Sequence, residues 1–101
     1  MKIEVLYVPG CPNHKPAVEA VTSVLAAESV RTEVFDVPVH SESEAQAFRF
    51  PGSPTVRVNG NDVEPDPGFT FGLACRLYAN GKGVPSEGAI RRAVADARQK
   101  E

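Results

Sequence analysis

The stretch VPGCPNH, residues 8–14, sets a cysteine between a glycine and a proline, directly after an apolar run. Cys11 and His14 stand three residues apart, the spacing at which two side chains on one helical turn share a face. An imidazole so placed can hydrogen-bond a thiolate or accept the thiol proton, which is how a cysteine nucleophile is activated. If the turn opens a helix, the partial positive charge of that helix end also favours a thiolate beside it. The chain holds one further thiol, Cys75, and one further imidazole, His40.

Each of these residues has a plainer reading. A lone cysteine is commonly a small buried hydrophobe, but Gly10 and Pro12 at a strand-to-helix turn argue for a presented side chain. His14 can equally be a solvated first-turn residue. Cys75, between Ala74 and Arg76 in an apparent strand, reads either as a buried structural thiol or as a resolving partner for Cys11. His40 is most simply a solvent-facing loop residue. Two cysteines so widely spaced are too few for a disulfide framework or a four-ligand zinc site, and no spacing in the chain demands a metal or cofactor.

The elements that must position Cys11 can be read from local pattern. Residues 2–8, KIEVLYV, form an apolar run suited to an interior strand, which stops at Pro9-Gly10. Val18, Val21, Val24 and Leu25 recur at helical spacing over residues 17–29, and residues 30–39 are β-branched and aromatic up to Pro38. Ser41 with Glu44 three residues on has the spacing of a capping box, predicting a short helix that ends near Phe50-Pro51-Gly52. Residues 55–65 give two short runs joined at Asn59-Gly60, a hairpin signal. The Pro/Gly-rich residues 66–72 read as loop, LACRLY at 73–78 as one further strand, and Ser86 caps a last helix with Ile90, Ala93, Val94 and Ala97 on one face. The charges of that helix, Arg91, Arg92, Asp96 and Arg98, read as its wet face.

Where the first helix starts matters for the site. With Pro12 as its first residue, Pro16 would lack a needed N–H and clash one turn later. With Asn13 as N-cap, Pro16 falls in the first turn, where a missing donor costs nothing, and Cys11 sits in the loop just before the helix.

A strand, helix, strand start followed by a hairpin and a final helix predicts an α/β fold, with a mixed sheet flanked by helices. The tip of the first strand, where Cys11 lies, is then at a ligand-binding edge. A length of 101 residues with 42% hydrophobic content describes one domain spanning 1–101. The net charge of −2 gives no basic excess for nucleic acid, and there is no run of eighteen apolar residues for a membrane span. No charged-then-apolar leader opens the chain, so a cytoplasmic location is expected, where both thiols would stay mostly reduced.

GCPNH at the end of the first strand, then helix, strand, helix and GSPT before a hairpin, resembles the thioredoxin fold over most of the chain. VPGCPNH together with GSPTVRVNG and GLACRLY further resembles a family of small bacterial thioredoxin-like proteins, some of which carry selenocysteine at the position of Cys11. The resemblance implies a glutaredoxin-like α/β architecture and redox chemistry at Cys11. It also implies a cis proline at Pro54, preceded by Ser53, lying beside the reactive sulfur. On that reading Pro12, Asn13, Ser53 and Pro54 form the substrate-binding edge, with backbone groups at Ser53–Pro54 free to pair with an extended peptide or with glutathione. The chain departs from the dithiol pattern in carrying His14 where a resolving cysteine would lie.

Three functional classes follow. In the first, a thiol oxidoreductase, Cys11 attacks a disulfide, peroxide or other electrophilic sulfur, and the adduct is resolved by glutathione, a partner protein or Cys75. The second is a module holding a soft metal or an iron–sulfur cluster through the same thiol. The third is an interaction scaffold with an inert thiol.

Overall fold

The computed structural model describes residues 1–65 and 70–100. Among these residues seven elements follow in order: β1 (Ile3–Tyr7), α1 (His14–Ala27), β2 (Val34–Pro38), α2 (Glu42–Ala47), β3 (Thr55–Val58), β4 (Asn61–Asp62) and α3 (Glu87–Gln99). They build a small α/β molecule around one mixed four-stranded sheet of order β2-β1-β3-β4. β1 pairs in parallel with β2 and antiparallel with β3, and β3 pairs antiparallel with β4. β2 therefore forms one rim of the sheet, and Pro38 is tolerated there because a rim strand has donors to spare.

Period-two alternation in β1 divides the core between the two faces of the sheet. Ile3 and Val5 join Ala17, Val21, Val24 and Leu25 of α1, Val56 and Val58 of β3, and Ile90, Val94 and Ala97 of α3. Leu6 points the other way and meets Val39, Ala45 of α2 and Phe50.

Local signals account for most boundaries. The Ser41 hydroxyl accepts from Glu44 N at 3.1 Å, and the Glu44 carboxylate accepts from His40 N at 2.7 Å, one residue upstream of the usual reciprocal bond. Ser86 accepts from Ala89 N at 3.1 Å. Asn59 and Gly60 both have positive φ, 52° and 81°, as a tight hairpin of matching twist requires.

α1 and α2 each end in a Schellman motif. Val30 N donates to Leu25 O and Ser29 N to Ala26 O, while Phe50 N donates to Ala45 O and Arg49 N to Gln46 O. The left-handed positions are filled by Ser29 (φ 54°) and Arg49 (φ 51°) rather than glycine.

Two expectations need correction. The second strand is shorter than residues 30–39, because Val30 closes the α1 Schellman turn. Residues 73–78 form no strand: a single parallel bridge joins Ser53 to Cys75. The ladder does not continue past it: Tyr78 N donates to Lys82 O at 2.9 Å, and the Pro54 carbonyl accepts from the Tyr78 hydroxyl at 2.5 Å. Of the loop expected over 66–72, residues 66–69 lie outside the described residues.

Candidate functional site

Cys11 is the shared corner of two consecutive turns. In the first, Cys11 N donates to Val8 O at 2.9 Å around Pro9 and Gly10, whose φ of 89° is what the third position of a type II turn needs. In the second, His14 N donates to Cys11 O at 3.2 Å around Pro12 and Asn13, and Asn13 at φ −97°, ψ 0° has type I geometry. Both backbone groups of Cys11 are thus consumed, and the side chain, part-exposed, is what the corner presents. Among the described residues its sulfur makes no hydrogen bond.

α1 begins at His14 with Asn13 in the N-cap position, so Pro16 falls in the first turn. Asn13 makes no side-chain capping bond, since its turn backbone is not the extended one that aims a cap at the helix. Its amide lies instead against Gly83, where an added methyl group would collide with it.

The His14 imidazole makes no hydrogen bond to the thiol. It stacks on Tyr7, with ring centroids 3.6 Å apart and planes within 2°, and its Nε2 lies 2.8 Å from Asp36 Oδ1. The register explains the meeting: Val5 pairs with Asp36 and Tyr7 with Pro38, so Tyr7 and Asp36 share the sheet face on which α1 lies. A carboxylate only accepts, so Nε2 carries a proton and, in the neutral ring, Nδ1 is the acceptor. Sequence reading missed Asp36, whose signal was an acid inside the apolar run VFDVP; its role needs the strand register to be seen.

Ser53 and Pro54 lie at the same end of the sheet as Cys11. The Ser53–Pro54 peptide bond is cis, and both residues are buried. Ser53 Oγ accepts from Val8 N at 2.9 Å, so Val8 links Ser53 to the Cys11 turn. The backbone edge expected to be free here is occupied. Ser53 N donates to Ala74 O at 2.9 Å and Arg76 N donates to Ser53 O at 3.0 Å. Cys75 sits between them and is exposed, contrary to its reading as a buried structural thiol. Arg76 and Tyr78 take the inward positions, and Leu77 is 75% exposed.

Arg76 holds this segment in place. Its guanidinium makes two bonds to Asp62, at 2.7 and 3.2 Å, a third to Thr55 Oγ1 at 3.2 Å and a short one to Glu64 O, and lies 4.3 Å from the Tyr78 ring centroid. Burial pushes the Tyr78 hydroxyl well above the ordinary phenol range; Arg76 opposes this, while Asp62 and Glu64 add to it.

Among the described residues no three His, Cys, Asp or Glu side chains gather as metal ligands, and no helix is long and apolar enough to cross a membrane. No family model, curated protein or solved structure matches the chain.

Proposed function

We propose that the protein is a thioredoxin-like thiol oxidoreductase in which Cys11 is the nucleophile. The observation that carries this reading is the double turn, which spends both backbone groups of Cys11 and leaves its side chain part-exposed before α1. The strand order, the parallel and antiparallel pairings and the cis bond at Ser53–Pro54 support the thioredoxin-like part of it.

In the reaction, the Cys11 thiolate attacks one sulfur of a disulfide. A bond from Cys11 to that sulfur forms as the original S–S bond breaks, and the departing thiolate takes a proton from solvent. Glutathione or another thiol then releases Cys11 by the reverse kind of step, or Cys75 does so from its exposed place opposite Ser53. His14, with Nε2–H held by Asp36, offers Nδ1 for proton traffic at the start of α1. A cytoplasmic setting would supply the reductant.

The test is alkylation at neutral pH followed separately at the two cysteines by peptide mass spectrometry, together with turnover of glutathione disulfide and peroxide. Cys11 is expected to label faster than Cys75, Cys11→Ser to abolish turnover, and Cys75→Ser to change only the fate of the oxidised form. Turnover surviving in Cys11→Ser would refute the assignment.

A further inference from the structure

Between β4 and α3 the chain makes a long excursion before it rejoins the helical layer. On its way it runs past the Cys11 end of the sheet. Gly72 N donates to Phe50 O at 3.1 Å, Ser53 is bridged on both sides by Ala74 and Arg76, and the Tyr78 hydroxyl takes the Pro54 carbonyl. Residues 72–78 are thus laid along the backbone from Phe50 to Pro54 as a docked extended peptide would be. Farther on, Gly83 abuts Asn13 at the start of α1.

This segment is fastened rather than draped. Arg76 is 7% exposed and bonded to Asp62, Thr55 and Glu64. Gly52 is what allows so close an approach: a Cβ there would stand 3.0 Å from Arg76 Cβ and 3.2 Å from Ala74 O. An incoming polypeptide that sought to pair with Ser53 would find its N–H and C=O already taken. A small electrophile needs no such pairing, because it has only to reach the part-exposed side chain of Cys11.

We infer that residues 72–78 are a built-in strap that fills the peptide-pairing edge beside Cys11 and restricts this thiol to low-molecular-mass electrophiles that carry no peptide backbone, such as 2-hydroxyethyl disulfide. The inference rests on the assignment of Cys11 as nucleophile and names its substrate class. The chemistry is the exchange already described, in which the small disulfide supplies both sulfurs and solvent supplies the proton to the leaving thiolate.

The experiment compares the rate of Cys11 mixed-disulfide formation with 2-hydroxyethyl disulfide and with a disulfide joining two unstructured peptides. It is run on the full chain and on Arg76→Ala and Tyr78→Phe, each first checked for folding by circular dichroism. In the wild type 2-hydroxyethyl disulfide is expected to react about tenfold faster or more than the peptide disulfide. Loosening the strap in Arg76→Ala should raise the peptide rate by about tenfold while the 2-hydroxyethyl disulfide rate stays within about threefold. If Arg76→Ala does not fold, Tyr78→Phe carries the comparison, with a smaller gain in the same direction.

Hydrogen exchange of the Ser53 and Arg76 amides in the wild type gives a second readout, in which both should stay protected while Cys11 reacts with 2-hydroxyethyl disulfide. Equal wild-type rates for the two disulfides, or unprotected amides at Ser53 and Arg76, would overturn the strap and leave the nucleophile standing. Reaction of Cys11 with neither disulfide nor peroxide would remove the oxidoreductase reading, and the strap's role with it.

Discussion

Tyr78 shows how one buried hydroxyl ties the strap to the sheet. Its phenol donates to Pro54 O and must stay protonated to do so. Tyr78→Phe should cost about 1 kcal/mol in urea unfolding near neutral pH through the lost hydrogen bond. The pH dependence has a definite sign. In the unfolded chain the phenol titrates near about 10, whereas burial holds it higher in the folded protein. Above about pH 10 the unfolded state therefore gives up a proton that the folded state keeps, and stability falls as pH rises. Urea unfolding of wild type and Tyr78→Phe should show the wild-type advantage shrinking above that pH; an advantage that grows would contradict the burial argument. At the same scale lies the main surprise of the site. His14, placed three residues from Cys11 as a proton partner, is turned by Tyr7 and Asp36 toward the sheet, a geometry that depends on a residue 22 positions away.

Among the elements, those closed by short-range chemistry were legible in the sequence and those closed by distant partners were not. Ser41 with Glu44, Ser86, Asn59-Gly60 and Pro9-Gly10 all act within four residues, and each marks its boundary in the structure. Residues 73–78 alternate as a strand does, but the interior is taken by Arg76 and Tyr78 rather than by Cys75 and Leu77. The reason is the Asp62 carboxylate, fourteen residues earlier, which no local pattern connects to Arg76. Helix ends carry a prediction of their own. Ser29 holds a left-handed conformation at the α1 Schellman turn, where a side chain costs about 1 kcal/mol relative to glycine. Ser29→Gly should recover about that amount and raise the midpoint of thermal unfolding by about 4–8 °C. A lowered midpoint would show that the Ser29 side chain contributes more than its backbone costs.

For the molecule as a whole, the sheet is arranged so that its loops do the specialised work at one end. The central strand β1 runs directly into the Cys11 turns, its antiparallel neighbour β3 follows Ser53–Pro54, and the excursion after β4 returns to cover that approach. The opposite side of β1 is different in kind. β2 is only five residues long and has no strand beyond it among the described residues, yet it carries the exposed Phe35. Such a rim is a template on which identical chains can stack in concentrated solution, and short length, proline and charge are the means by which proteins discourage it. Here Pro38 removes a donor and the exposed Asp36, the carboxylate bonded to His14, supplies the charge. Asp36→Val should increase light scattering with protein concentration, whereas Asp36→Glu should not; equal scattering from both would separate the two roles. If only Asp36→Val scatters, colloidal behaviour and site geometry are inherited together, through one side chain on the rim strand.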